Sequence, residues 1–456
     1  MGNLPWLDIR QHRLYGSLVL CTSLLVACAA TTTPSSQSQA EQARSDNTML
    51  ASSPKSQGEQ ARTADSFVDS IGVNLHLTYE DTVYGKFSNI VKPRLQELGI
   101  RHIRDGGHNE DNYLNKLQQL SAVGIKSILI FQGTPTDEVL QVLTKAKGAV
   151  DAAEGPNESD LEKFNYSYNG ERFPKGTRTY QKELYTAIKG SSQNSLPVVL
   201  PSMGWGENAQ KLGYLEWGDR CNLHSYPANA ERPTYDIDWY FIPHGRTICG
   251  NTKPLMVTET GYHNLTKDDS GMSEKASGKY LPRLLLENFN RNIKRTYLYE
   301  FADVKPDPTQ SDKENHYGLL RNDGSRKPAY QTIKNLITLL KEQKANFRPG
   351  RLDYKLSGNM KEVHRTLLQK SDRSFYLIIW QDAKSWDNKN KKDVAIADRK
   401  VTLTINTPIS QVVAYQPIRS INPSWRSTGK GGRVKQLSIS VPDHPLVLKL
   451  VPASKK

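Results

Sequence analysis

Two carboxylates in this sequence stand where a side chain could carry out acid–base or nucleophilic chemistry. Glu158 ends the segment AEGPNE (residues 153–158), in which a Gly-Pro pair interrupts a strand-like run of small residues. Glu259 ends the apolar run MVTE (residues 256–259) and is followed by Thr-Gly. A carboxylate held in this way by the backbone can serve as a general acid, a general base or a nucleophile. The chemistry therefore requires a fold that brings both side chains to one place.

The rest of the chain supplies a regular pattern of strands and helices. From residue 71 onward, eight short strand-like runs are separated mostly by segments with helical spacing of apolar residues. The runs are Ile71–Leu75, His102–Arg104, Ser127–Phe131, Ala149–Ala153, Pro197–Pro201, Asn222–Ser225, Leu255–Thr258 and Thr296–Phe301. Eight such units predict an α/β fold, the (β/α)8 TIM barrel. A doubly wound open sheet is the rival fold, but the Gly-rich turn typical of its first strand is missing.

Two parts of the chain fit this barrel pattern less well. Residues 206–220 make a poor fifth helix. Residues 227–250 form a long, aromatic-rich insertion before the seventh strand. We expect the architecture to depart from a regular barrel in these two regions.

Nearly every predicted strand ends in polar or titratable side chains, which is where barrel enzymes place their catalytic groups. In strand order these are Asn74 and His76, Arg104 and Asp105, Gln132, Asn157 and Glu158, Ser202, His224 and Tyr226, Glu259, and finally Glu300 and Asp303. The fourth and seventh strands face each other roughly across a barrel of eight, so Glu158 and Glu259 are expected to point into one mouth. Two carboxyl groups about 5 Å apart suit retaining glycoside hydrolysis.

Taken together, these motifs resemble the signature of clan A glycoside hydrolases, the "4/7" retaining barrels, among them family 39-like enzymes. The resemblance implies that Glu158 is the acid/base and Glu259 the nucleophile. It further implies that Asn157 contacts the sugar 2-hydroxyl, that Tyr226 orients the nucleophile and that Arg104 helps keep it ionised. The segment EGPNE departs from the commoner Trp-Asn-Glu-Pro form, so the individual family is not specified.

The resemblance extends from residue 71 to about residue 452 and includes the segment 317–330, which is similar to the stretch that closes many such barrels. It implies hydrolysis of an O-glycosidic bond, by clan membership β-linked, in a polysaccharide or oligosaccharide, through a glycosyl-enzyme intermediate. We expect neither a cofactor nor a metal. The substrate-binding candidates are Asn157, Arg104, His224, Tyr226, His76, Glu300 and Trp205.

Several residues at these strand ends also have a structural interpretation. Glu158 follows Asn157 and could begin a helix, where the dipole stabilises a carboxylate. His224 could be a hydrogen-bonded core histidine, and Arg104 could merely neutralise Asp105. Glu154 is interpreted as structural, inside the barrel or in an ion pair. At the level of function, the alternative to an enzyme is a barrel lipoprotein that binds envelope polysaccharide without cleaving it.

The pattern changes after about residue 350. Short alternating or β-branched runs separated by Asp, Asn, Gly and Pro turns predict an all-β sandwich over residues 349–456, after a barrel over residues 67–348. Residues 351–456 hold 20 Lys and Arg against 8 Asp and Glu, so most of the formal net charge of +14 lies there. This charge indicates a solvated surface, or contact with an anionic polymer or membrane. Motifs for nucleic-acid binding are missing, so we expect no nucleic-acid partner.

The N-terminus predicts export. Arg10 and Arg13 precede an apolar run that ends in LVAC, where Cys28 matches the lipidated cysteine of bacterial lipoproteins. We therefore expect a signal peptide over residues 1–28, a disordered tether over residues 29–66 and an envelope protein anchored by lipid at Cys28. The alternative is an ordinary signal peptide in which this cysteine is incidental. The remaining cysteines, Cys221 and Cys249, form either a disulfide or two free buried thiols.

Overall fold

The computed structural model describes residues 58–342, 346–429 and 432–453. The predicted signal peptide, Cys28 and most of the predicted tether lie outside these residues. Within them, no helix is long and apolar enough to cross a membrane.

Eight parallel strands form the barrel predicted from the sequence. They are β1 (Ile71–Asn74), β2 (His102–Gly106), β3 (Lys126–Ile130), β4 (Val150–Glu154), β5 (Val198–Val199), β6 (Cys221–His224), β7 (Leu255–Thr260) and β8 (Arg295–Leu298). Each strand pairs with the next except β5 with β6, and β8 pairs with β1. Between β5 and β6 the ring is completed by a single bridge, Val199 to Arg220. The carboxyl ends of all eight strands therefore share one rim.

An α-helix follows each barrel strand and covers the outside of the sheet. The helices are α1 (Lys92–Leu98), α2 (Asp111–Ser121), α3 (Thr136–Lys145), α4 (Lys175–Lys189), α5 (Ala209–Leu212), α6 (Ile242–Cys249), α7 (Glu274–Asn290) and α8 (Pro328–Leu340). In α2 the leucines at 114, 117 and 120 are buried, as their spacing predicts. Residues 206–220, whose pattern predicted a poor fifth helix, contain the single α-helical turn α5. The region 227–250 is not only an insertion, because α6 occupies its second half and is preceded by the π-helical turn Ile237–Phe241.

The chain after the barrel forms two antiparallel sheets. Its strands are β9 (Tyr354–Gly358), β10 (Val363–Gln369), β11 (Phe375–Gln381), β12 (Arg399–Ile405), β13 (Ile409–Tyr415), β14 (Pro423–Thr428), β15 (Gln436–Val441) and β16 (Leu446–Pro452). One sheet has the order β9-β12-β15, and the other has Arg62–Thr63 followed by β10-β11-β16-β13-β14. Their facing apolar residues form a core of their own. This is the predicted sandwich, and β9 and β14 are strands that the sequence pattern did not reveal.

The larger sheet packs against the barrel through α7 and α8. Trp380 is fully buried there, and its indole Nε1 donates a hydrogen bond to Glu287 Oε1 at 3.0 Å. Arg283 donates from Nη1 to the backbone oxygens of Gln381 at 2.7 Å and Ala383 at 2.9 Å. The apolar core is continuous from the barrel helices into this sheet. Barrel and sandwich therefore share one interior.

The end of the predicted tether is part of this fold. Glu59–Gln60 pairs with Arg351–Leu352, and Arg62–Thr63 pairs with β10. The short helix Ala64–Asp69 follows, capped by the Thr63 side chain, which accepts from the backbone of Ser66 at 3.2 Å. The strand pairing, which a local composition argument cannot reveal, places residues 58–66 in the folded part of the chain.

Candidate active site

The guanidinium of Arg104 organises the carboxyl rim of the barrel. Arg104 lies in β2, and its side chain is almost completely buried. Its Nη1 donates to Glu259 Oε1 at 2.6 Å and to Asn74 Oδ1 at 2.9 Å. Its Nη2 donates to Asn157 Oδ1 at 2.7 Å. Arg104 thus binds directly to three other strand ends, which goes beyond neutralising the neighbouring Asp105.

Glu154 is the fourth partner of this guanidinium. It accepts from Arg104 Nε at 2.8 Å and from Nη2 at 2.7 Å, a bidentate ion pair, and its side chain is fully buried. Asn222 Nδ2 donates to the same carboxylate at 2.9 Å. The structural interpretation of Glu154 is therefore confirmed, because Glu154 holds the Arg104 guanidinium in place by an ion pair and its side chain is fully buried.

Glu259 lies at the end of β7 with its side chain 12% exposed. The hydroxyl of Tyr226 donates to its Oε2 at 2.8 Å, while Arg104 binds Oε1. Burial by itself raises the pKa of Glu259, but the charges of His224 and Arg104 and the hydrogen bonds from Arg104 and Tyr226 lower it below its ordinary value. Glu259 is therefore held as a carboxylate, the state that a nucleophile requires.

Glu158 reaches the same rim from the turn after β4. Its backbone adopts a left-handed conformation, with φ of 44°, and its N–H donates to Ser202 Oγ at 3.2 Å. This turn, and not a helix start, aims the side chain, which is 15% exposed. One carboxylate oxygen of Glu158 and one of Glu259 lie within 4.8 Å of each other. This upper limit lies below the 6.5 Å or more of inverting glycosidases and agrees with the roughly 5 Å separation of retaining ones.

His224, at the end of β6, links the two carboxylates. Its Nδ1 lies 2.9 Å from Glu158 Oε1 and 3.5 Å from Glu259 Oε2, and its Nε2 lies 3.1 Å from the hydroxyl of Thr258. Burial lowers the pKa of His224, but the negative charges of Glu259 and Glu158 more than offset this, so its pKa lies above the ordinary value. His224 is therefore a buried histidine that contacts both candidate catalytic carboxylates, Glu158 and Glu259.

A second polar group lies where β8 and β1 end. Glu300 is fully buried; Tyr84 donates to its Oε2 at 2.8 Å, and His76 Nε2 lies 3.2 Å from the same atom. Burial lowers the pKa of His76, yet its contact with Glu300 leaves it above the ordinary value. The other oxygen, Glu300 Oε1, is buried without a hydrogen-bond partner among the described residues. Glu300 therefore holds His76 in place, and His76, whose side chain is 20% exposed, is the member of this pair that a ligand can reach.

Trp205 is placed less deeply than the other predicted site residues. It lies in the loop after β5, and its backbone N–H donates to Asp160 Oδ2 at 3.0 Å, two residues beyond Glu158. Its side chain is 42% exposed. The wall of the site is formed instead by the rings of Tyr226, Tyr299 and Tyr317, which pack edge to face at centroid distances of 5.3 to 6.4 Å. Tyr299 and Tyr317 follow β8. The expectation that functional side chains lie at strand ends did not identify these two residues, because their ring contacts depend on the tertiary structure.

The trio Glu158, His224 and Glu259 can be tested as a metal site. Each offers one ligand atom, and these atoms lie within 4.8 Å of one another. However, both oxygens of Glu259 already accept hydrogen bonds, from Arg104 and Tyr226. A cation at this point would lie next to the buried positive charge of Arg104. The donor set therefore fits acid–base chemistry better than a divalent metal.

Comparison with known proteins shows the fold. No family model matches the sequence, and no curated protein matches it. Among solved structures, a family 39 glycoside hydrolase from the gut symbiont Bacteroides cellulosilyticus WH2 is 14% identical, with 84% of this chain and 82% of that chain covered and a TM-score of 0.58. The GH39 enzyme from Xanthomonas axonopodis pv. citri is 16% identical, with 86% and 96% covered and a TM-score of 0.55.

A monomeric β-xylosidase from Caulobacter crescentus CB15 is 13% identical, covers 87% of this chain and 98% of its own, and has a TM-score of 0.55. The three matches include the sandwich as well as the barrel, because they extend over most of both chains. At these identities the comparison establishes a barrel with an attached sandwich like that of family 39 glycoside hydrolases.

Proposed function

We propose that this protein is a retaining glycoside hydrolase that cleaves a β-linked O-glycosidic bond in a polysaccharide or oligosaccharide. The observation that carries the proposal is the approach of Glu158 and Glu259 to within 4.8 Å at the carboxyl rim of the barrel. Their environments also differ in the way that such a reaction needs. Glu259 is held anionic by Arg104 and Tyr226, whereas Glu158 contacts the ring nitrogen of His224.

In the first step, Glu259 attacks the anomeric carbon of the bound sugar. The bond from that carbon to the glycosidic oxygen breaks, and Glu158 gives its proton to the departing oxygen. The product of this step is an ester between Glu259 and the sugar. Asn157, held by Arg104, faces the 2-hydroxyl in the role that the clan resemblance implies.

In the second step, water hydrolyses the ester. Glu158, now a carboxylate, accepts a proton from the water as its oxygen attacks the anomeric carbon, and Glu259 leaves as a carboxylate. Two displacements at one carbon restore the original anomeric configuration. We propose that His76, whose side chain is 20% exposed, binds a hydroxyl of the same sugar ring, and that the buried Glu300 takes part by orienting His76. Trp205, exposed beside the mouth, is proposed to contact a neighbouring sugar.

The rival function is a barrel that binds envelope polysaccharide without cleaving it. Incubation with a panel of β-linked polysaccharides, followed by assay of new reducing ends, separates the two. We expect activity that is lost in both Glu158→Gln and Glu259→Gln. Hydrolysis that survives in both variants contradicts the mechanism, and binding without hydrolysis in the wild type favours the rival.

We further propose that the chain is exported and anchored by lipid at Cys28. The disulfide between Cys221 and Cys249 supports an oxidising compartment. Labelling of the full chain by a radioactive fatty acid in a bacterial host, lost in Cys28→Ser, is the expected result. Labelling that persists in that variant contradicts lipidation at Cys28.

The sandwich is proposed to hold the enzyme against an anionic polymer or membrane. The outward side chains of its smaller sheet include lysines and no acidic residue among those described. They are Lys355, Ser357, Lys400, Thr402, Thr404, Gln436, Ser438 and Ser440. Binding to anionic vesicles or soluble anionic polysaccharide should weaken as salt increases, and should weaken in Lys355→Glu combined with Lys400→Glu. The matched control, Lys147→Glu combined with Lys211→Glu, changes two exposed barrel lysines and should bind as the wild type does.

A further inference from the structure

Thr258 lies directly beneath the catalytic trio and contacts the far nitrogen of His224. It belongs to β7, one residue before Glu259, and is fully buried. Its hydroxyl oxygen lies 3.1 Å from His224 Nε2 and 2.6 Å from Asn222 Oδ1. A hydroxyl has one proton to donate, so the direction of these two hydrogen bonds decides which nitrogen of His224 carries a hydrogen.

The orientation of Asn222 is fixed by its other contacts. Its Nδ2 donates to Glu154 Oε1 at 2.9 Å and to the backbone oxygen of Leu200 at 3.0 Å, and both partners can only accept. The atom that faces Thr258 must therefore be the amide oxygen, which has no proton to give. At 2.6 Å the Thr258 hydroxyl has to donate to it, in preference to the Glu154 oxygen at 3.3 Å.

The direction of the Thr258 hydrogen bond determines which nitrogen of His224 carries a hydrogen. Because the hydroxyl proton of Thr258 points at Asn222, the Thr258 oxygen is left as an acceptor, and His224 Nε2 must carry a hydrogen to donate to it. The other ring nitrogen, Nδ1, is then the atom that gains or loses a proton. It lies 2.9 Å from Glu158 Oε1.

We infer that Thr258 is a positioning residue that makes Glu158 and His224 share the proton used in catalysis. When the pair holds this proton, either protonated Glu158 donates to Nδ1 or protonated Nδ1 donates to the Glu158 carboxylate. Once the proton has passed to the glycosidic oxygen, no proton remains between His224 Nδ1 and Glu158. The lone pair of Nδ1 then faces the negatively charged carboxylate directly. This repulsion favours recovery of a proton from the attacking water, which is the base step. The inference rests on the proposed function.

The charged groups that face this pair come from three strands besides β6. Glu259 on β7 and Arg104 on β2 face His224, together with Glu158 after β4. Glu154, also from β4, faces Thr258 and is neutralised by the bidentate contact with Arg104. Substitution of Thr258 leaves all of these charges in place, so its effect on the pair comes from the lost acceptor.

The kinetic test uses Thr258→Val, which keeps the shape of the side chain and removes the acceptor. Neutral His224 can then carry its hydrogen on Nδ1 and donate it to the Glu158 carboxylate, so the proton-poor state of the pair is stabilised. The alkaline limb of the kcat/KM profile should move to lower pH by roughly one unit. Thr258→Ser, which restores the hydroxyl, should return the limb to its wild-type position.

Thr260→Val is the matched control for buried packing. Thr260 is also fully buried on β7 and donates to the backbone oxygen of Ser225 at 2.5 Å, but it has no hydrogen bond to His224. This variant should lose stability without moving the alkaline limb. A Thr258→Val enzyme with an unmoved limb, or a limb moved equally by Thr260→Val, overturns the inference.

A second measurement needs no substrate and so separates failure of this inference from failure of the proposed function. ¹⁵N NMR of histidine-labelled full-length protein, recorded at a pH at which the same spectra show the His224 ring to be neutral, reports which nitrogen of His224 carries the hydrogen. We expect Nε2 in the wild type and Nδ1 in Thr258→Val. A wild-type His224 with its hydrogen on Nδ1 overturns the inference even in an active enzyme. If no polysaccharide is hydrolysed, the proposed function fails, and this spectrum alone decides the role of Thr258.

Discussion

Arg104 Nη1 lies 2.6 Å from Glu259 Oε1, while the opposite edge of the same guanidinium forms a bidentate ion pair with Glu154. The planar fork of arginine suits this arrangement, because one side chain reaches acceptors on β4 and β7 at once. The ammonium of a lysine cannot bridge them in the same way. The charge state of the proposed nucleophile therefore depends on the shape of this side chain as well as on its charge.

Arg104→Lys should lower kcat/KM by about 10²- to 10³-fold, as expected for the loss of a fixed electrostatic contact at the reacting centre. The pKa of Glu259 lies below its ordinary value in the wild type, partly because of Arg104. In the variant this pKa rises, so Glu259 becomes protonated at a higher pH. The acid limb of the pH–rate profile should move to higher pH, whereas Arg101→Lys, at a surface ion pair with Asp65, should leave it unchanged. An unmoved acid limb in Arg104→Lys would show that Arg104 does not control Glu259.

Tyr226→Phe should reduce kcat and should also lower the thermal midpoint slightly, because the hydrogen bond to Glu259 is already present in the free enzyme. The hydroxyl of Tyr226 donates to Glu259 Oε2 at 2.8 Å, and a hydrogen bond to a charged group contributes about 1.5 to 3 kcal/mol. The expected loss is therefore about 10- to 150-fold. Tyr240→Phe is the matched control, because its hydroxyl donates to Glu207 at 2.6 Å, outside the catalytic trio. Equal losses in the two variants would contradict a specific role for Tyr226.

Removal of metal ions should not affect hydrolysis. Glu158, His224 and Glu259 offer three ligand atoms within 4.8 Å, but Arg104 and Tyr226 occupy both oxygens of Glu259. Activity should be the same after dialysis against a chelator and after addition of zinc, manganese or calcium. Loss on chelation with recovery on one added ion would assign this trio to a metal.

The Cys221–Cys249 disulfide should contribute to stability and not to the reaction. It joins residues 28 positions apart, from the start of β6 to the end of α6. For a loop of this length the chain-entropy treatment gives about 3.5 kcal/mol. Cys221→Ser combined with Cys249→Ser should lower the thermal midpoint in non-reducing buffer, and kcat at low temperature should stay at the wild-type value. An unchanged midpoint would remove the stabilising role.

The barrel and its rim could be predicted because strand periodicity and strand ends are local features of the sequence. Glu259 follows the apolar run of β7, Arg104 lies in β2 and Glu158 follows the Gly-Pro turn after β4, and parallel strands bring such ends to one rim. The clan resemblance then supplied their roles. The meeting of these three side chains followed from topology and did not require knowledge of their contacts.

Other features depend on contacts between distant parts of the chain. Asn222 and Thr258 meet across neighbouring strands, and polar residues inside a barrel strand give no sign of their partner. The strand Pro423–Thr428 is mostly polar, with Trp425 as its large apolar side chain, and is defined by pairing with its neighbour. Helix α6 lies in the region that its aromatic residues predicted to be an insertion, although Pro243 stands in the first turn of the helix, where proline is favoured. In each case the tertiary partner, and not local propensity, determines the structure.

The most direct test of the account is the anomeric configuration of the first product, followed by ¹H NMR during hydrolysis of a β-linked substrate by the wild-type enzyme. Carboxylate oxygens within 4.8 Å leave no room for a water molecule between Glu259 and the sugar, so the reaction is expected to pass through a covalent ester. The account predicts that the β-anomer forms first and then equilibrates. Initial release of the α-anomer would contradict it.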